Sequence, residues 1–114
     1  MAWQINSDLI EDWLSSLDPK SFDRVNAALI VLSEIGPGLG RPLVDSVKCS
    51  RHRNMKELRP GSAGGSKVRI LFAFDPARQA ILLVAGDKAG RWQRWYQQMI
   101  PLADDRYDEH LETL

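Results

Sequence analysis

The sequence predicts an α+β fold in which a small antiparallel sheet packs on an N-terminal helical hairpin, with C-terminal helices completing the chain. Three observations predict it. Apolar residues recur every three or four positions before residue 36. Residues 67–75 alternate, and residues 79–86 are nearly all apolar. Helical spacing then returns after residue 92.

Trp3 to Ile5 alternates apolar and polar side chains, which suits a short first strand. Ser7 can cap a helix, with Asp8 and Glu11 in its first turn and Leu9, Ile10, Trp13, Leu14 and Leu17 on one face. Asp18-Pro19 starts a second helix, a capping carboxylate followed by proline at the first helical position. Its apolar stripe is Phe22, Val25, Leu29, Leu32 and Ile35, and Gly36-Pro37 stops it. Residues 36–53 read as a loop punctuated by Gly, Pro and Ser. Met55 to Arg59 is a strand candidate, and Pro60 to Ser66 is a turn. From Lys67 to Asp75, Val68, Ile70, Phe72 and Phe74 fall on one face, with Lys67, Arg69, Leu71 and Ala73 on the other. Gln79 to Gly86 reads as a central strand buried on both sides. The three strands form an antiparallel meander, one face covered by the hairpin and the other partly open. Trp92, Trp95, Tyr96 and Met99 share a helical face; Pro101 then opens a last helix carrying Ala103, Tyr107, Leu111 and Leu114.

The 114 residues fit one domain, 1–114. With 44% hydrophobic and 26% charged residues the composition is that of a globular chain and excludes disorder as the main state. The single cysteine, Cys49, excludes an internal disulfide framework. No apolar run approaches the roughly 18 residues of a membrane span, and the N-terminus has no signal-peptide pattern. The expectation is a cytoplasmic protein without a membrane partner.

Fifteen basic and fifteen acidic residues cancel, but their distribution is uneven. Lys48, Arg51, Arg53, Lys56, Arg59, Lys67 and Arg69 cluster in the middle with Glu57 as the one acid among them, between acid-rich ends. Such a block is either a polyanion site or a set of solvated cations balanced by acidic helices. His52, His110 and Cys49 lack zinc spacing, and no phosphate-loop or dinucleotide fingerprint is present, so neither metal nor cofactor is expected. The acids after residue 103 read as a solvated helix face.

Strand alternation places Glu57 and Arg59 together, opposite Leu58, with Arg69 on the neighbouring strand and Lys88 past the end of the central one. One carboxylate among cations is the inventory needed for RNA cleavage by its own 2′-hydroxyl. A base takes the 2′-proton, cations stabilise the pentavalent phosphate, and an acid protonates the leaving 5′-oxygen. The same residues also spell a plain cross-strand salt bridge, Glu57 with Arg69.

The runs Asn54 to Arg59, Lys67 to Pro76 and Ala80 to Lys88, in this order and spacing, resemble the phage Gp49-like branch of HigB toxins, within the RelE/ParE superfamily of toxin–antitoxin systems. The resemblance spans the whole chain. It implies a RelE-like fold, a ribosome-dependent mRNA endonuclease that arrests translation, and a cognate helix-turn-helix, HigA-like antitoxin as partner beside the ribosome and mRNA. It assigns Glu57, Arg59, Arg69 and Lys88 to catalysis. Lys56, Lys67 and Arg53 become RNA contacts, with Trp92 and Tyr96 as stacking platforms, although both aromatics also read as core. Alternation turns Lys56 away from Glu57. Asp87 stands where many members carry the first of two lysines. A gyrase-inhibiting ParE-like toxin and a non-catalytic phage or regulatory binding protein are the alternatives, because fold does not fix function.

Overall fold

The computed structural model describes residues 2–61, 67–87 and 92–114. Its strands are β1 (Gln4–Asn6), β2 (Val44–Ser46), β3 (Met55–Leu58), β4 (Val68–Phe74) and β5 (Gln79–Asp87). Its α-helices are α1 (Glu11–Ser15), α2 (Pro19–Ile35) and α3 (Trp92–Glu112). The architecture is α+β. The sheet order is β1-β5-β4-β3-β2, antiparallel except that β1 runs parallel to β5. The meander is therefore extended at both edges, and the sheet is mixed.

The sheet carries a core on each face. On one, Leu58, Ile70, Phe72, Ala80 and Leu82 pack against Ile10 and against Val25, Ala28 and Leu32 of α2. On the other, Met55, Leu71, Ala73, Ile81, Leu83 and Val84 pack against Ile100, Ala103 and Tyr107 of α3. The second face is thus roofed rather than partly open. Leu71 and Ala73 are as deeply buried as Ile70 and Phe72, and in the middle of β4 alternation separates two cores, not core from solvent.

Strand pairing slips between Leu71 and Phe72, where Leu71 faces Val84 but Phe72 faces Leu82. Leu83 is the extra residue of a bulge, so Leu83 and Val84, though consecutive, both enter the α3 core. Arg106 of α3 donates to the Leu83 carbonyl at 2.6 Å, satisfying a group that the interrupted ladder would otherwise strand.

The helical layer departs from the sequence reading in detail. Ser7 makes no cap; its hydroxyl donates to Glu11, and a 3-10 turn over Asp8–Ile10 precedes the five-residue α1. Leu9 is exposed. Asp18 does cap α2, accepting from the Ser21 amide, and Pro19 and Gly36 bound the helix as expected. The buried stripe is Val25, Ala28 and Leu32, while Phe22 and Ile35 stay exposed. Gly36 has φ +72°, and a Cβ there would strike the Trp3 indole. Trp3 is further held by the α2 residue Ser33, whose carbonyl accepts from the Trp3 amide and whose hydroxyl donates to the Trp3 carbonyl.

The two expected C-terminal helices are one. α3 continues through Pro101, although proline lacks the N–H owed to Gln97 and costs roughly 3 kcal/mol in a helix interior. Burial of Ile100, Ala103 and Tyr107 on either side offsets that cost. The acids on this helix are not simply solvated either. Asp104 is 2% exposed and accepts from the Ser50 hydroxyl at 2.5 Å and the Arg51 amide at 3.1 Å. Asp108 takes Arg51 at 2.5 Å and His52 at 2.7 Å. Near the end, His110 reaches Asp75 at 2.7 Å, and the Tyr107 hydroxyl donates to the Phe74 carbonyl at 3.0 Å.

Asp75 sits at the β4–β5 turn with its side chain fully buried, accepting from the Ala77 and Gln79 amides at 2.9 Å each. Burial alone would raise its pKa, but His110 and the two amides hold it below the ordinary carboxylate value. Asp75→Asn is expected to lower stability at neutral pH by about 2 kcal/mol, on the order of 5–10 °C in melting temperature. The charge-dependent share is fully present above the unfolded value of about 3.9 and is lost as pH falls through the depressed folded value. Thermal melts of parent and variant from pH 7 to pH 2 measure this, and the gap should shrink with acid.

Candidate functional site

Glu57 projects from the middle of β3 toward α3 and is 4% exposed. A buried carboxylate needs partners, and the fold brings two hydrogen-bond donors and a further cation. The Tyr96 hydroxyl donates to its Oε1 in a short hydrogen bond. Arg59, just past the end of β3, donates twice to Oε2 at 3.3 Å. Arg69 of β4 places its Nε 3.3 Å from Oε1. The register pairs Glu57 with Leu71, so Arg69 reaches it diagonally, and long side chains can span such an offset.

Arg69 is held by its own backbone neighbour, Nη1 donating to the Val68 carbonyl at 2.7 Å. Its Nε is close enough to Glu57 to be an ion pair but lacks hydrogen-bond alignment, and so is a buried N–H without a hydrogen-bond acceptor among the described residues. Such a donor is uncommon in a folded protein, and here it lies beside the Glu57 carboxylate.

The cluster extends through a residue that sequence reasoning missed. Asp45 of β2 lies opposite Glu57 in register, and Arg59 sits between the two carboxylates, 3.3 Å from each. Arg41 closes on Asp45 at 3.0 Å. The Arg41 guanidinium, with the Ser46 amide, holds the Asp45 carboxyl below its ordinary range. Charges thus alternate along Arg41, Asp45, Arg59, Glu57 and Arg69. Residues 36–53 read as loop because β2 is only three residues long, too short for alternation to register. The one local signal was Val44-Asp45-Ser46 standing clear of Gly40 and Pro42.

Tyr96 is the roof of the cluster. Burial, then the Glu57 carboxylate, pushes its phenol well above the usual range, so it stays protonated at neutral pH. Trp95 meets the Tyr96 ring edge to face at 5.1 Å. Across the sheet, Gly86 is the register partner of Arg69, and a Cβ there would come within 2.6 Å of the Trp95 indole nitrogen. Glycine at this position lets Trp95 settle on the sheet beside the cluster.

A cleft of about 640 Å³ opens from the cluster to solvent. Glu57 and Arg59 form its floor; Arg41, Asp45 and Ser46, with Val47 to Cys49, form one wall; Tyr96, Gln97, Ile100 and Pro101 form the other. Among the described residues no His, Cys, Asp and Glu side chains converge in a group that could hold a metal ion. No helix of the described residues is long and apolar enough to cross a membrane.

Of the residues singled out in the sequence, Glu57, Arg59, Arg69 and Tyr96 come together. Tyr96 enters by its hydroxyl, bonded to Glu57, rather than as a bare stacking ring. Lys67 is exposed immediately before β4, on the Arg69 side by alternation. Lys56 does point away from Glu57, on the face that Leu58 shares with α2. Arg53 is exposed in the turn before β3, four residues from Glu57, or roughly 13 Å along an extended chain. Trp92 begins α3, and Lys88 lies outside the described residues.

The sequence matches the family described as "Phage derived protein Gp49-like" over residues 12–108. Two curated proteins of Mycobacterium tuberculosis are similar to it. "Putative toxin HigB2" is 59% identical over 111 residues, which is 97% of this chain but 55% of that protein. "Putative toxin HigB3" is 53% identical over 104 residues, 91% of this chain and 89% of that protein. The chain therefore spans about half the length of the first relative and most of the second.

The Trp95–Gly86 contact generates a test. Gly86→Ala is expected to displace the indole, cost about 1–3 kcal/mol through overpacking, and shift the Trp95 indole N–H resonance. Calorimetry and a nitrogen-edited NMR spectrum read both. An unshifted melt and spectrum would mean the roof is not seated on Gly86.

Proposed function

The chain belongs to the Gp49-like family of phage-derived proteins as a HigB-type toxin, and we propose on that premise that it cuts messenger RNA on the ribosome. It would act without a cofactor, through the 2′-hydroxyl of the RNA itself. The observation that carries this reading is the buried Glu57, ringed by Arg59, Arg69 and Tyr96.

When a phosphodiester enters, Arg59 and Arg69 turn part of their charge from Glu57 to the phosphate oxygens. Their guanidiniums are permanently charged and suit the extra negative charge of a pentavalent phosphate. Glu57, relieved of those partners, accepts the 2′-proton as the 2′-oxygen attacks phosphorus. Tyr96 gives its proton to the departing 5′-oxygen and regains one from Glu57 through their hydrogen bond, which closes the proton balance. The products are a 2′,3′-cyclic phosphate and a 5′-hydroxyl. Lys88, after β5 in the sequence, remains a further candidate cation for the pentavalent phosphate, and Lys67 supplies a backbone phosphate contact, which adds affinity rather than chemistry. The ribosome contributes by fixing the message in an attack-ready geometry. A helix-turn-helix antitoxin is the partner that restrains the activity in the cell.

Arg69→Ala is expected to reduce cleavage roughly a hundred- to thousandfold. Glu57→Gln and Tyr96→Phe should each cost about a hundredfold or more, as loss of an acid–base group does. The readouts are growth arrest on induction, mapping of mRNA 5′ ends, and a thermal melt for each variant. A folded Arg69→Ala protein that cuts mRNA at the parental rate would overturn the assignment, and 5′ ends identical with and without the parental protein would overturn the function.

A further inference from the structure

We propose that the cleft beside the Glu57 cluster seats one unstacked nucleobase of the RNA, and that the Gln97 side-chain amide reads the hydrogen-bonding edge of that base. This rests on the proposed RNA cleavage and goes beyond it by naming the group that sets where the chain cuts.

The cleft, about 640 Å³, is far larger than a phosphate needs and lies in the range of sites that enclose small organic ligands, roughly 300–1,000 Å³. Among the polar residues of its walls it has an apolar part: Ile100 and Pro101 on α3, and Val47 on the β2 side. A flat aromatic heterocycle has apolar faces for such walls and a polar rim that must be answered. Gln97, Ile100 and Pro101 stand three and four positions apart and share a helical face, so an amide sits at the edge of an apolar wall.

Most polar groups in the cleft are already engaged with one another. Asp45, Glu57, Arg59 and Tyr96 form one hydrogen-bonded and ion-paired set. The Gln97 amide has no hydrogen-bond partner among the described residues. It offers two donors and an acceptor, the pairing that a base edge presents in return. Single-stranded RNA is read in this way, by bases splayed from the stack and bonded along their edges.

Placement ties the reading to the cut. Gln97 follows Tyr96 directly, so a base read there belongs to a nucleotide beside the phosphate that Arg59 and Arg69 receive. Arg41, its side chain 78% exposed, and the exposed Lys48 flank the mouth, where the backbone phosphates of that strand would pass.

The experiment maps mRNA 5′ ends after a pulse of the parental chain, Gln97→Leu, and Gln97→Glu. Leucine keeps the shape and apolar character of the wall and removes the amide; glutamate keeps the acceptors and removes the donors. Gln97 is exposed, so both variants should melt as the parent does. The parental chain should prefer one base at a fixed distance from the cut. Gln97→Leu should flatten that preference by about tenfold, the scale of a lost bidentate contact, and Gln97→Glu should redistribute it among bases. An unchanged base distribution in both variants would overturn the assignment while leaving RNA cleavage standing. A uniform loss of cutting at all sites, with the distribution intact, would also overturn it, because Gln97 would then be positioning rather than reading. Absence of cutting by the parental chain would remove the proposed function and this inference together.

Discussion

A carboxylate buried in the middle of a sheet is the constraint on which the arrangement of this protein turns. Glu57 lies on the face of β3 that α3 covers, and ionised carboxylates are costly to bury unless paired and hydrogen-bonded. The surrounding chain supplies what that charge requires from three directions. β4 sends Arg69, the residue after β3 sends Arg59, and α3 sends the Tyr96 hydroxyl. Asp45 and Arg41 then continue the alternation of sign outward to the cleft mouth. Removing one member leaves its neighbours uncompensated, so the cluster acts as a unit.

That unit exists only because α3 is held down. Its apolar face fills the second core, and its far half is fastened by polar contacts to two segments, the loop before β3 and the end of β4 with its turn. Asp104 and Asp108 hold Ser50, Arg51 and His52; Tyr107 bonds the Phe74 carbonyl; His110 meets Asp75. The bulge at Leu83 and the Arg106 contact key the helix to one register on the sheet. With the C-terminal half fastened, the N-terminal half can lay Tyr96 over Glu57 while Gln97 and Pro101 line an open cleft. The helix therefore serves stability at one end and the site at the other.

The basic block in the middle of the sequence is divided in space rather than presented as one cationic surface. Arg51 is taken up by the acids of α3, and Arg59 and Arg69 by Glu57, while Arg41, outside the block, pairs with Asp45. A neutral chain can thus hold a strongly polar site in which charges are concentrated but locally balanced. In the proposed reaction an incoming phosphate would compete for guanidiniums already in place, as in a preorganised site. Membership in the Gp49-like family fits a chain whose matched region, 12–108, contains every member of this cluster.

By itself the sequence determined the elements whose signals are local. Asp18-Pro19 and Gly36 bounded α2, and alternation from Val68 to Phe74 defined β4. The apolar run from Ala80 marked β5 as a strand buried on both sides. Alternation also put Glu57 and Arg59 together and turned Lys56 away, because the two-residue period of a strand is fixed by backbone geometry. Tertiary structure decided the rest. β2 was too short to announce itself, so Asp45 and Arg41 entered the site unforeseen. Pro101 looked like a break because its local cost is visible in sequence, whereas the burial of Ile100, Ala103 and Tyr107 that offsets it is not. The acids of α3 looked solvated because Ser50, Arg51 and His52 are more than fifty residues away in the chain. The second sheet face looked open because Leu71 and Ala73 show their burial only when a helix from the other end of the chain lies across them. Local propensity is written residue by residue, but which face is covered and which charge is paired depends on contacts between distant segments.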